Sequence, residues 1–476
     1  MKHYNLLQKN GELTKLSSED LALLQQGIKG RIFTPDDDAY DEHRRVWNGT
    51  VDNYPGLITR CQGVADVIKI VNFAKERALL ISVRGGGHNV SGSAVVDQGL
   101  VIDLSEMRTV KVNPEEKTAW VQGGALLGDL DHETTAFGLA APVGVVSETG
   151  VGGLTLHGGV GWLLRKHGMS IDNLKSVELV SADGKLIQAS KEQHQDLFWA
   201  LRGGGGNFGV VTALEFYLHP IEPMVSYLMP LFPMDHATEI IHFADEYMKK
   251  APRDLMLIGI YWTVPDLEEI PKGEVGKPTL TLLGCYSGPR EKADKITGPL
   301  KKVREPIIDL SADLSWVEAQ SALDEDYPKG KYYYWKSLYL DDLQDDALEI
   351  IKKFNLAKPS EESTIDIWFL GGAMQDVNSR ETAFFNRHQP YMVAIEGNWS
   401  DPERNEENIQ WARDLHKELK PYASDGIYLN FPGFVEDQTE VKQGAYGENL
   451  ERLQKIKSQY DPTGLFSGLT DFRKKH

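Results

Sequence analysis

The sequence predicts an α+β protein of two to three domains, and three observations point there. The chain has 476 residues, too many for one small core and within the range of roughly two to three ordinary domains. Its first half interleaves short apolar strands and helices with three glycine clusters. After His219-Pro220 the strand-like stretches Leu255–Trp262, Thr279–Tyr286, Tyr332–Tyr339, Thr364–Leu370 and Tyr391–Trp399 alternate with amphipathic helical segments such as Asn405–Leu419. That pattern fits an antiparallel sheet covered by helices.

In chain order, residues 1 to about 52 read as a polar lead-in with short helices, ending in Arg45-Val-Trp-Asn48. Val67, Ile68, Val71 and Ala74 recur at helical spacing, and a strand follows at Leu79–Val83. The loop Arg84-Gly-Gly-Gly-His-Asn89, running on to Ser93, sits directly after that strand. Leu100–Leu104 and Thr118–Val121 are further strands, and Gly123-Gly124 opens a helix ending near Gly138. A second glycine block spans Pro142 to Gly161. Val177–Val180 and Lys185–Gln188 flank an Asp183-Gly184 turn, a hairpin signal. Asp196–Leu201 forms a short helix, and the third cluster, Arg202 to Gly209, leads into the strand Val210–Phe216. The tail predicts a strand near Tyr428–Phe431 and a helix over about Glu448–Gln459, stopped at Asp461-Pro462.

Three clusters at which main chain can approach a ligand suggest a large planar cofactor wrapped by backbone. The second block only loosely follows a dinucleotide fingerprint. No acidic residue about twenty positions on follows a parallel strand as a nicotinamide site requires, so that site is excluded. Apolar residues make up 41% and charged residues 25%, as in ordinary globular proteins. The 70 acidic against 51 basic side chains give a net charge of -19, which argues against nucleic acid as partner. Cys61 and Cys285 are the only cysteines, too few for a disulfide framework or a four-cysteine metal site, and no metal is expected. No signal-peptide core or bilayer-length apolar run is seen, so a cytoplasmic protein is expected.

Arg84-Gly-Gly-Gly-His88, Thr149-Gly-Val-Gly-Gly153, Gly158-Gly159 with Gly161, Asp172-Asn173, Asp196-Leu-Phe-Trp199, Arg202-Gly-Gly-Gly-Gly-Asn-Phe-Gly209 and Tyr460-Asp-Pro462 together resemble the berberine bridge enzyme-like, FAD-linked oxidoreductases of the vanillyl-alcohol oxidase fold. The resemblance runs in order from about Trp47 to Phe466. It implies an FAD-binding domain in two parts, 1-221 and 425-476, around a substrate-binding domain at 222-424. It also implies that His88 is bonded covalently to the flavin 8α-methyl, and that main chain around Gly85–Asn89 and Thr149–Gly153 lies on the pyrophosphate and ring. The implied cofactor set is Arg84, Gly85, Gly86, Gly87, His88, Asn89, Ser93, Val146, Thr149, Gly150, Gly152, Gly153, Gly158, Asn207, Gly209, Val210, Val211, Tyr428 and Asn430.

Departures from the family pattern carry information too. Many relatives have a second flavin link through a cysteine four residues before the Gly-Val-Gly-Gly run; Val146 stands there, which predicts a single link. Thr149 occupies the place where relatives carry a side chain controlling oxygen access, and its size is close to valine, which in the family goes with oxidase behaviour. Oxidising an alcohol needs a base for the hydroxyl proton. The family's two usual bases fall on Phe431 and Met392, which cannot serve. Substitutes are Glu396, Tyr428, His157 and Tyr334, with Tyr339 and Tyr391 also weighed; strand alternation puts Glu396 on the Met392 face and Tyr391 on the other. The expected activity is oxidation of an alcohol or hemiacetal carbon of a carbohydrate or secondary metabolite, with O2 as acceptor and H2O2 as product. Alternatives are a flavin dehydrogenase or oxidative-cyclisation enzyme using another acceptor, and a protein that keeps the cofactor while catalysis has decayed. Flavin bleaching by substrates isolates the last, and peroxide release separates the first two.

Overall fold

The helix Val64–Glu76 buries Val67, Ile70, Val71 and Ala74, the one-sided spacing that seats a helix on a sheet. It ends where Ala78 takes a φ of 50°, and the chain turns into the strand Ile81–Arg84. In the computed structural model, which describes residues 2–434, 438–468, 470 and 472, that strand pairs in parallel with Leu100–Asp103, which pairs in parallel with Leu57–Arg60. Arg31–Phe33 adds an antiparallel edge. All four residues of Leu100–Asp103 are buried, as befits a parallel strand covered on both faces.

A second sheet of five strands runs in the order Leu186–Ser190, Leu174–Val180, Val210–Tyr217, Thr118–Gln122, Val110–Asn113. The third sheet is antiparallel, has ten strands, and takes all of them from Met224 to Ser424. Its central strands are Pro278–Tyr286, Leu255–Thr263, Thr364–Phe369, Tyr391–Trp399 and Tyr332–Leu340, adjacent in that order. Successive side chains point to opposite faces. On the outer face Tyr261, Ile365, Ile367, Tyr391 and Val393 pack against the helices Ala237–Met248, Asp345–Leu356 and Asn405–Leu419. The other face, carrying Ile258, Thr364, Asp366, Trp368 and Glu396, looks into the molecule. The α+β expectation is met.

Three local expectations are corrected. The lead-in opens with an antiparallel hairpin, His3–Leu7 with Leu13–Ser17, because alternation puts Leu6 and Leu16 together in the core. The Asp183-Gly184 hairpin forms, but Val180 pairs with Leu186, so the loop is longer than the two-residue turn. Tyr428–Phe431 is a turn rather than a strand: the Phe431 N–H donates to the Tyr428 carbonyl at 3.0 Å, and the Tyr428 N–H donates to Ser337 Oγ instead of a ladder partner.

Candidate functional site

A continuous cavity of about 530 Å³ lies between the glycine loops and the inward face of the ten-stranded sheet. On the loop side the main chains come close enough that a Cβ on Gly86 would sit 2.6 Å from the Gly150 Cα; only glycine fits there. A Cβ on Gly153 would meet no protein atom within 4 Å, although Gly153 lines the cavity. Bare backbone is therefore presented to whatever lies inside. Among the described residues this loop wall carries no lysine or arginine. A diphosphate and flat ring system held by main-chain N–H groups fits such a wall.

His88 lies on the same wall with its Nε2 buried and without a hydrogen-bond partner. Burial pushes its pKa down to about 3, so the imidazole is neutral. Its ring is fixed by stacking: Trp47 lies 4.1 Å from it and Tyr333 3.7 Å beyond, nearly parallel. Trp47 is itself held by its indole N–H on the Tyr327 carbonyl at 2.8 Å. Asn48 donates to the carbonyls of Val90 and Tyr333 at 2.6 and 2.9 Å. The lead-in thus clamps the histidine loop to the sheet, a role the sequence alone did not suggest. Asn89 turns the loop by accepting from the Ser91 N–H at 2.9 Å and the Ser93 hydroxyl at 3.3 Å.

Gly85, Gly86, Gly87, Asn89, Ser93, Val146, Thr149, Gly150, Gly152, Gly153, Gly209, Val211, Tyr428 and Asn430 all meet at the cavity. Four expected cofactor residues do not. Arg84 is folded back beneath the loop, its Nη1 donating to the His43 carbonyl. Gly158 faces Met169 and Phe384. Asn207 braces the chain's return by accepting from the Gly468 N–H at 3.0 Å. Val210 points into the core on the far side of its strand. Gly206 and Gly468, which were not anticipated, line the wall instead.

The candidate bases separate clearly. Tyr334 is on the outer face, where it accepts from Arg413 Nε at 3.0 Å, and Tyr391 bonds Asp245 there; strand parity removes both from the cavity. Tyr339 and Met392 are packed in the core beside Trp368. His157 reaches the cavity, its Nδ1 3.0 Å from the Gly153 carbonyl, and burial lowers its pKa. The Tyr428 hydroxyl accepts from the Val160 N–H at 3.2 Å and from Asn430 at 2.9 Å, and burial pushes its pKa up to about 12. Glu396 lies on the cavity wall and accepts from the Tyr327 hydroxyl at 2.7 Å. Burial, and then Asp366, raise its carboxyl well above the usual range.

Asp366 escaped sequence reasoning. Thr364 pairs directly with Glu396 and Asp366 with Ala394, so the two carboxyls sit on neighbouring strands of one face, two positions apart. Burial pushes Asp366 up to about 7. Its signal was available: a carboxylate in the otherwise apolar run Thr364-Ile-Asp-Ile-Trp-Phe is costly unless it has work to do.

The chain matches the FAD binding domain family over residues 55–190 and the berberine and berberine-like family over residues 427–468. It is 32% identical over 448 residues to the FAD-linked oxidoreductase YgaK of Bacillus subtilis (strain 168), covering 92% of this chain and 96% of that one. With (R)-6-hydroxynicotine oxidase of Paenarthrobacter nicotinovorans it shares 42% identity over 194 residues, 41% of this chain and 42% of that one. BBE-like 1 of Physcomitrella patens superposes with a TM-score of 0.85 at 23% identity, over 96% of this chain and 99% of that one, a likeness of fold.

Proposed function

Because the chain belongs to the berberine bridge enzyme-like FAD-linked oxidoreductases, we propose that it is an oxidase acting at an alcohol or hemiacetal carbon of a carbohydrate or secondary metabolite, with O2 as acceptor and H2O2 as product. When bound, FAD supplies the hydride acceptor. His88 is its single covalent anchor, with Val146 where a second link would need cysteine. One observation carries this: a neutral imidazole with an unpartnered buried nitrogen stands on a wall of bare glycine backbone. A neutral imidazole is a competent nucleophile.

The division into 1-221, 222-424 and 425-476 belongs to the same proposal, supported by the ten-stranded sheet drawing all its strands from Met224 to Ser424. Glu396, acting with Asp366, takes the substrate proton; two buried carboxyls this close share protons as a pair. The cytoplasm is the proposed compartment, supported by the free, buried Cys61 and Cys285. Among the described residues no helix is long and apolar enough to cross a membrane.

Acid-precipitated protein should stay yellow, with the added mass on the peptide containing His88, and His88→Ala should release the flavin on denaturation. Colourless precipitate from flavin-loaded protein would end the covalent proposal. Glu396→Gln should keep its flavin but lose anaerobic bleaching by substrate, and peroxide in air distinguishes oxidase from dehydrogenase.

A further inference from the structure

The loop Gly144–Thr149 puts Gly144, Val145, Val146 and Thr149 on the cavity wall, and it is held from two sides. From the first half of the chain, the Leu127 N–H donates to the Thr149 carbonyl and the Gly128 N–H to the Ser147 carbonyl, both at 2.9 Å. Two further groups, the Gly144 carbonyl and the Ser147 N–H, are met from the sheet side. The strand Ala312–Ser315 of the ten-stranded sheet runs on into the short helix Trp316–Ser321 and the turn Asp324–Asp326. The Gln320 amide nitrogen donates to the Gly144 carbonyl and to Asp131 Oδ2, each at 3.1 Å. Asp324 takes the Ser147 N–H at 2.7 Å on one carboxylate oxygen and the Ser147 hydroxyl on the other. The crossing is pinned at two more points. Trp316 Nε1 donates to Asp131 Oδ1 at 3.2 Å, and Trp162 Nε1 donates to the Ala319 carbonyl at 3.1 Å. Asp131, Trp162, Trp316 and Gln320 are each no more than 2% exposed.

Water could satisfy the same two loop groups, but it would leave the loop free to choose its orientation. A carboxylate that takes both donors of one residue fixes that residue in two directions, and charge-assisted bonds of this kind are about twice as strong as neutral ones. The Thr149 N–H donates to the Val146 carbonyl at 3.1 Å, closing a turn around Ser147. Whatever holds Ser147 therefore holds the two flanking residues that face the cavity. The crossing segment also reaches the cavity itself, through Leu323, Glu325 and Asp326, whereas Gln320 and Asp324 stand behind the wall and touch it only through Gly144 and Ser147. We propose that Asp324 and Gln320 are positioning residues for the cofactor: they clasp the Gly144–Thr149 wall to the sheet, so that FAD binding at the loops and docking of segment 316–326 reinforce each other. Such coupling is reciprocal, since whatever docking adds to FAD affinity FAD must add to docking. The proposal rests on the flavin cavity proposed above.

The probe is an FAD analogue lacking the 8-methyl group, which can bind but cannot form the covalent bond, titrated into flavin-free full-length protein. The titration is run at about pH 8, where the Asp131 carboxyl, pushed up to about 7 by burial, is ionised and accepts from Gln320. Asp324→Ala and Gln320→Ala should each weaken the analogue about 10-fold or more. Asp324→Asn keeps one acceptor oxygen and should recover part of the loss. Analogue binding should slow amide hydrogen exchange across 316–326 in the parent by a similar factor, and should not do so in Asp324→Ala. If Asp324→Ala does not fold, Ser147→Ala removes one of the two bonds from the loop side and should weaken binding about 3-fold or more. Unchanged affinity in the folded variants overturns the clasp. Weaker binding with no exchange response across 316–326 in the parent also overturns it, because the substitutions have then only loosened the structure. If the analogue fails to bind the parent, the flavin reading falls and the clasp with it; if it binds parent and variants alike, the flavin reading stands and the clasp alone falls.

Discussion

Replacing Gly153 by alanine should stabilise the empty protein and weaken its hold on FAD, two effects of opposite sign from one methyl group. Gly153 lies within the helical turn Val151–Leu156, where glycine is about 0.5–1 kcal/mol worse than alanine. The new Cβ would meet no protein atom within 4 Å, so nothing opposes that gain. The open space it would enter is the cavity itself. If flavin lies against this turn, the methyl group overpacks the interface at a cost of about 1–3 kcal/mol, or about 5- to 150-fold in affinity. The assay is paired: thermal unfolding of flavin-free protein, which should rise by about 0.5–1 °C, and the flavin-to-protein ratio after reconstitution at limiting FAD, which should fall. Normal FAD uptake by Gly153→Ala would refute the placement of the cofactor on this wall.

Three other outcomes follow from buried groups. The folded-state pKa of Asp366 is raised to about 7 by burial, so between roughly pH 4 and pH 7 the native state keeps a proton that the unfolded chain has lost. This group's contribution to stability is therefore full below about pH 4 and is lost as pH rises to about 7; Lys358, Glu396 and Tyr327 face the group. In chemical denaturation Asp366→Asn should gain at most about 4 kcal/mol over the parent above pH 7 and nothing below pH 4, and parallel pH curves would count against an unpaired carboxyl. Lys457→Met leaves Asp461 buried without its cation at 2.6 Å and removes the ammonium from the Asn207 carbonyl; it should cost about 3–5 kcal/mol in the same assay. Trp47→Ala removes the ring between His88 and Tyr333 and should cost about 3–5 kcal/mol, with slower flavin attachment measured by retained absorbance after acid treatment.

The loop half of the site was legible because its message is local: consecutive glycines and one histidine declare a backbone surface before any fold is known. The sheet was legible from alternation and helix spacing. Which aromatic of Tyr332-Tyr-Tyr-Trp335 meets the cavity was not, since a run of four carries no phase; pairing with Tyr391–Trp399 turns Tyr334 outward and Trp335 inward. Asp366 and Glu396 become a pair only through strand register. Arg84, Gly158, Asn207 and Val210 stand off the cavity wall despite their nearness to a glycine cluster, because sequence distance does not say which side of a loop or strand a residue occupies.

The stack of Trp47 on His88 and Tyr333 also sets an order of events. Asn48 joins Val90 and Tyr333 across 42 and 285 positions of sequence, so while the chain is being made His88 is available long before the strand that immobilises it. A growing chain that has passed Gly209 holds the three glycine clusters and the histidine yet has no rigid imidazole to offer. Fixing that ring is a late act of tertiary assembly, and any chemistry that depends on its orientation waits for the whole sheet.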